Sequence, residues 1–224
     1  MNSFTPADPV SPCSQFIIQP SPWGLTLDGP LGGEENMRRD METFESQRNT
    51  QSFPAVRFYK WREPTVTYGR LQSRAGAEAF AAISGAKAVV QRPTGGGMVF
   101  HDTDLSFSIA WRRDHSTLPP CIKNVYRLFH EAIANELRSV GVEVSLHHVE
   151  KQRKSLPGAC YQEFSQDDIL WKGQKLVGGA LRVTSWGRLY QGNLKVLPHL
   201  AANNGVETLI NSLSTGVFLQ PAFF

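Results

Sequence analysis

The chain has 224 residues, 41% of them hydrophobic and 19% charged, and a formal net charge of +3. That is the balance of a globular protein that buries a core. No apolar run reaches the roughly 18–20 residues of a membrane span, no basic stretch followed by an apolar one opens the chain, and the charge is too small to argue for nucleic acid. A cytoplasmic protein with neither a membrane nor a nucleic-acid partner is expected. The three cysteines, Cys13, Cys121 and Cys160, lack C-x-x-C spacing, which argues against a disulfide framework or structural zinc and for a reducing compartment; no metal site is expected.

In chain order, residues 1–22 hold five prolines among small polar residues and read as a tail. Trp23 to Leu27 is expected to be a short strand ending at the turn-forming Asp28-Gly29-Pro30. From Glu34 to Ser46 the spacing of Met37, Met41 and Phe44, with acidic residues first, predicts an amphipathic helix. Ala55–Trp61 and Pro64–Leu71 are rich in β-branched and aromatic residues, as strands are. Ala75–Ile83 is an alanine-rich helix, and Lys87–Arg92 a strand leading into Gly95-Gly96-Gly97. Leu105, Phe107, Ile109 and Trp111 alternate with small residues, the period of a half-buried strand. Cys121–Val140 is the strongest helix: Val125, Leu128, Phe129, Ala132, Ile133, Leu137 and Val140 form one stripe, and Gly141 stands where a C′ glycine belongs. Val142–Val149 follows as a strand. A hairpin (Asp168–Trp171, turn Lys172-Gly173, Lys175–Thr184) and the strand Leu189–Leu194 come next, with a last helix at Val206–Leu213. Strand groups separated by helices predict α+β, a mixed and largely antiparallel sheet with flanking helices, in one domain over 23–224.

Two glycine-bearing strand pairs carry positive charge: Arg92 with Gly95–Gly97, and Lys175 with Gly173, Gly178 and Gly179. Glycine lets backbone approach a ligand because no Cβ intervenes, and an arginine fork suits carboxylate or phosphate. Should the two hairpins face each other, an anion site for a phosphate, acyl phosphate or carboxylate results. Read singly, the triple glycine is a plain hairpin turn and Lys175 a solvated strand lysine. Cys160 follows Pro157-Gly158-Ala159; beside Lys175 its thiolate would be favoured, or it packs as a small hydrophobe. His101-Asp102 is either an acid–base or ribose-binding pair or a strand-end histidine bonded to its loop. Asp167-Asp168 either holds a metal bridging phosphates or is a solvated turn. His147-His148 has no third ligand nearby and is rejected as a metal site.

Taken together, four segments from about Glu35 to Leu194 resemble the catalytic domain of the lipoate–protein ligase and octanoyltransferase family, related to biotin–protein ligase. They are Asn36-Met37 with Asp40; Phe58-Tyr59-Lys60-Trp61 through Thr67-Tyr68-Gly69-Arg70-Leu71-Gln72; Arg92-Pro93-Thr94-Gly95-Gly96-Gly97 with His101-Asp102; and Lys172-Gly173-Gln174-Lys175-Leu176-Val177-Gly178-Gly179-Ala180. Gln91 departs from the family's first arginine, and Tyr190-Gln191-Gly192-Asn193 from its H-G-[ST].

The resemblance implies a mixed sheet with flanking helices and the attachment of lipoyl or octanoyl groups to a lysine of a carrier domain. Such carriers are the acyltransferase subunit of 2-oxoacid dehydrogenases and the H protein of glycine cleavage, with acyl carrier protein a further candidate partner. The expected reaction is that of a ligase, in which ATP with Mg2+ converts lipoate or octanoate to an acyl-adenylate. Lys175 would be catalytic. Arg92, Thr94, Gly95, Gly96, Gly97, His101, Asp102, Gly178, Gly179 and Ala180 would bind acyl group and nucleotide. One alternative is an ATP-independent octanoyl or lipoyl transferase that forms a thioester on Cys160, which would split one acyl transfer into two steps. The other is a non-catalytic relative that binds an acyl-adenylate or a carrier.

Overall fold

The structure, a computed structural model, describes residues 23–49, 53–115, 118, 122–148, 165–197, 207, 210 and 211. The expected tail at 1–22, the loop with Cys160 and most of the helix expected at Val206–Leu213 lie outside these residues.

Ten strands and three helices follow in the order β1 (Gly24–Leu31), α1 (Gly33–Ser46), β2 (Ala55–Trp61), β3 (Thr65–Tyr68), α2 (Arg74–Ser84), β4 (Ala88–Gln91), β5 (Val99–His101), β6 (Leu105–Arg112), α3 (Ile122–Ser139), β7 (Ser145–Leu146), β8 (Ile169–Trp171), β9 (Gln174–Val183) and β10 (Gly187–Leu194) among the described residues. They build two sheets. The larger has the order β1-β2-β6-β10-β9-β8-β7 and the smaller β4-β3-β5. Within the larger, β1 runs parallel to β2 and the other neighbours are antiparallel. In the smaller, β3 is parallel to β4 and antiparallel to β5. This is the expected mixed, mostly antiparallel α+β architecture, divided between two sheets.

Local chemistry accounts for the element ends. The Ser73 hydroxyl accepts from the Gly76 N–H (3.1 Å) and caps α2, which Gly85 ends in the left-handed region at φ 75°. Lys172 (φ 48°) and Gly173 (φ 75°) both have positive φ, the signature of a two-residue hairpin turn whose twist matches its strands. The expected turn at Asp28-Gly29-Pro30 is instead part of β1, whose register with β2 shifts between Leu27 and Pro30. An edge strand tolerates proline and an irregularity, and Asp28 is held there by ion pairs to Arg57 (2.5 Å) and Arg39 (2.7 Å). Of the strand expected over Val142–Val149, the described residues form Ser145–Leu146.

The faces of the large sheet differ in chemistry. One packs Phe58, Phe107, Ile109, Trp111 and Tyr190 against Val125, Phe129, Ile133 and Leu137 of α3, forming the main core. The face toward α1 carries buried polar groups around Asp40, itself fully buried. The Asp40 carboxylate accepts from Arg57 Nη1 (2.8 Å), Tyr59 Oη (2.9 Å), Ser108 Oγ (2.6 Å) and Gln191 Nε2 (2.7 Å). Arg57 also donates from Nη2 to Asn36 Oδ1 (2.7 Å). One helix and three strands are therefore joined through a single carboxylate. Removing one partner of a buried pair leaves the other charge uncompensated, at about 3–5 kcal/mol. Arg57→Ala is expected to lower unfolding free energy by that amount in urea titration, because buried Asp40 loses its cation while Asp28 keeps Arg39; a loss below about 1 kcal/mol would show that the hub does not hold the sheet.

Candidate active site

Two rows of residues cross four strands on the α1 side. Pairing aligns Tyr59 with Ser106, Ser106 with Asn193 and Asn193 with Gly178; two residues along, Arg57, Ser108, Gln191 and Ala180 align in the same way. Over the first row lies a cavity of about 370 Å³, lined by Met37, Tyr59, Trp61, Val99 and His101 of α1, β2 and β5, by Thr67, Arg92, Gly95 and Gly96, and by Ser165, Lys175 and Gly178–Leu181 of the far strands. Three strand gaps separate Tyr59 from Gly178, roughly 14 Å at the usual strand spacing. The cavity thus runs across the strands from an aromatic end at Trp61 to Lys175.

Arg92 shapes the glycine loop. Its Nη2 donates to the carbonyls of Gly95 and Gly97 (2.6 Å each), its Nε to Gly95 O (3.1 Å), and its Nη1 to Thr67 O (3.2 Å) and Oγ1 (3.3 Å). Gly96 has φ 86°. Thr94 is fully buried and donates to Gln191 Oε1 (2.7 Å), which ties the loop to the Asp40 hub. Gly69 is needed beneath the loop because a Cβ there would overlap the backbone of Gly95 and Gly96.

Lys175 is 8% exposed, and its Nζ lies 2.7 Å from Asp168 Oδ2. The same oxygen accepts the Ser165 N–H (2.7 Å). The lysine stem crosses Gly178, where a Cβ would overlap Cε; a Cβ at Gly179 would overlap the Tyr190 hydroxyl. Two of the glycines in the hairpin motif therefore make room for a lysine and a tyrosine.

His101 is buried at the aromatic end, stacked on Trp61 with ring centroids 4.1 Å apart. Its Nδ1 donates to Asp104 Oδ2 (2.8 Å) and its Nε2 meets Thr67 Oγ1 at 2.9 Å. Its acidic partner is Asp104, whereas Asp102 is exposed and supplies only its backbone N–H to Asp104 Oδ1 (3.1 Å). Asp104 faces into the fold because it precedes β6; Asp102 lies in the intervening turn. Of the residues singled out from the sequence, Arg92, Gly95, Gly96, His101, Lys175, Gly178, Gly179 and Ala180 line the cavity. Thr94 and Gly97 support the loop from behind, and Cys160 lies outside the described residues.

Sequence reasoning passed over His130. It is fully buried on α3; its place beside Phe129, between Tyr126 and Ile133 on the apolar stripe, was the available signal. Its Nδ1 meets the Asp167 carbonyl at 2.5 Å and its Nε2 the Tyr190 hydroxyl at 2.5 Å. A carbonyl only accepts, so Nδ1 carries the proton. Burial pushes the His130 pKa down and that of Tyr190 up, so a neutral Nε2 accepts from the Tyr190 O–H.

The family described as "Lipoyl protein ligase A/B catalytic domain" matches residues 33–210, and the chain belongs to it. It is 30% identical over 165 residues to "Octanoyltransferase LipM" of Kyrpidia tusciae, covering 70% of this chain and 60% of that relative's length. The fold is shared with a lipoate-protein ligase A solved with ATP bound (TM-score 0.68, 21% identity, 88% of this chain and 86% of the other). It is also shared with a bi-partite lipoate protein ligase of Thermoplasma acidophilum, solved as part of a lipoylation system with its E2 lipoyl domain (TM-score 0.57, 21% identity, 83% and 71% covered).

His130 also sets a pH dependence. A histidine whose folded pKa is depressed leaves the unfolded state binding more protons below its ordinary value of about 6.5. Its contribution is complete above that value and is lost as pH falls toward the folded pKa. Urea midpoints are expected to drop between pH 7 and pH 5, and less steeply in His130→Asn; parallel slopes for the two proteins would refute this.

Proposed function

We propose that the protein transfers an octanoyl or lipoyl group to a carrier-domain lysine without nucleotide, through a thioester on Cys160, with Lys175 acting at the reacting carbonyl. The observation that carries this reading is how the cavity's cations are used. Arg92 and Lys175 both line it. The five N–H groups of Arg92 are matched by five contacts to Gly95, Gly97 and Thr67, and Lys175 is paired with Asp168. A triphosphate with Mg2+ calls for cations and carboxylates turned toward the ligand. Here Arg92 is turned on the loop carbonyls and Thr67, and Lys175 on Asp168, an arrangement that fits a neutral thioester better than ATP. Similarity to an octanoyltransferase supports the same reading.

The chemistry runs in two exchanges. The Cys160 thiolate attacks the thioester carbonyl of the donor, the C–S bond to the donor breaks and the donor leaves as its thiolate, which takes up the proton given up by Cys160, and the acyl group is held as an enzyme thioester. The carrier lysine amine then attacks that carbonyl, an amide forms, and the Cys160 thiol is released with loss of the amine proton. The Lys175 ammonium would donate toward the oxyanion in both steps, a contribution of about 3–4 kcal/mol for a positioned donor. Cys160 stands five positions before Ser165, a residue of the cavity wall. The acyl chain would lie along the row Gly178, Asn193, Ser106, Tyr59, with its far end at Trp61 and Met37. An ATP-dependent acyl-adenylate route is the second reading, favoured by the fold shared with an ATP-bound ligase.

Purified carrier domain incubated with octanoyl–acyl carrier protein separates them. Octanoylation of the carrier is expected without ATP, falling at least about 100-fold in Lys175→Ala and to background in Cys160→Ser. Strict ATP dependence with an active Cys160→Ser variant would replace this reading with the ligase.

A further inference from the structure

We propose that His130 is a positioning residue for Lys175, acting through the turn at 165–168 and Asp168. This rests on the reading that Lys175 works at the acyl carbonyl.

The turn has two anchors. On one side it is joined to the residue after β7, with Asp167 N donating to His147 O and His147 N to Asp168 O (2.8 Å each). On the other, the Asp167 carbonyl accepts from His130 Nδ1 at 2.5 Å. Asp167 holds φ 66°, the left-handed region that non-glycine residues rarely occupy. Such a conformation persists where surroundings enforce it, and the bond from α3 is one such restraint. The next residue, Asp168, is 2% exposed; its Oδ2 lies 2.7 Å from both the Ser165 N–H and Lys175 Nζ. The carboxylate that holds the lysine is thus one peptide unit from the carbonyl that His130 holds.

His130 is held in turn. Tyr190 donates to Nε2, and its ring lies edge-on to Phe129 and Tyr126 (centroids 5.2 and 5.7 Å). The Tyr190 hydroxyl also occupies the space that a Cβ at Gly179 would fill. The order is therefore Tyr190, His130, Asp167 carbonyl, Asp168, Lys175, with every side chain in it buried. Charged and titratable groups that act on this region include Asp168 and Asp167 from the turn, His148 after β7 (3.9 Å from Asp167 Oδ1), His130, Arg127 and Tyr126 from α3, Lys175 from β9, and Tyr190 and Lys195 of β10 and its end.

Asparagine and glutamine separate the two bonds of the imidazole. An asparagine amide can occupy the place of Nδ1 and still donate to the Asp167 carbonyl, while losing Tyr190. A glutamine reaches toward Tyr190 and leaves the carbonyl without its donor. The assay is the labelling rate of Lys175 by acetic anhydride at fixed pH, read by peptide mass spectrometry, beside kcat and KM for octanoyl transfer. In His130→Gln and Asp168→Asn, Lys175 labelling is expected to rise by on the order of tenfold, as for an ammonium relieved of its carboxylate neighbour. In His130→Gln kcat should fall on the order of tenfold with KM for the donor within twofold. His130→Asn should keep both near wild type. Wild-type labelling in folded His130→Gln overturns the inference, and so does raised labelling in His130→Asn. Raised labelling with unchanged turnover in His130→Gln upholds the positioning and overturns the role given to Lys175.

Discussion

A fully buried carboxylate, Asp40, is the constraint from which much of this structure follows. An ionised group in the interior is tolerated only when paired and hydrogen-bonded, so Arg57, Tyr59, Ser108 and Gln191 must all reach the same point. Those four residues sit on three adjacent strands, and their convergence sets the distance and register between α1 and the sheet. The sheet consequently has one apolar face, buried by α3, and one polar face. The cavity lies on the polar side, between the sheet and the glycine loop that Thr94 fastens to Gln191.

Charge inside the cavity is balanced by the protein itself. Arg92 orders the glycine carbonyls, Lys175 is paired with Asp168, and Asp104 is satisfied by His101, Ser106 and Asn193. A long, mostly apolar acyl chain can enter without stripping a counterion from any of them. What the chemistry then requires is a donor near the reacting carbonyl whose position does not wander, since small misplacements of a catalytic group are costly. In the proposed transfer that donor is Lys175, and the buried order from Tyr190 through His130 to Asp168 is the proposed means of holding it.

The parts of the fold legible in the sequence were those with a strong local period. β2 and α3 were placed within two residues because the pattern of Ala55–Trp61 and the stripe from Val125 to Leu137 need no tertiary help. The Lys172-Gly173 turn was legible because few residue pairs tolerate two positive φ angles. β1 was harder: Asp28-Gly29-Pro30 is a turn by composition, and only the arginines that reach Asp28 from β2 and α1 keep it in the strand. The same limit applies to the site. Arg92, Lys175 and the glycines stand out as local motifs and a strand-end histidine bonded to its loop is legible at His101, but that its partner is Asp104 is not, and Asp168 and His130 gain meaning only from partners 7 and 37 positions away. Arg92 was expected to face a phosphate, and nothing in a linear sequence shows that the loop's own carbonyls take its donors.

The central claim is that the internally balanced cavity holds an acyl group on the enzyme itself, with no nucleotide. Intact mass of the purified protein after incubation with octanoyl–acyl carrier protein alone tests it most directly. The account predicts a gain of one octanoyl group, removable by hydroxylamine and mapped to Cys160. An unmodified enzyme in that mixture, together with octanoyl-adenylate formed when ATP and octanoate are supplied, would contradict it.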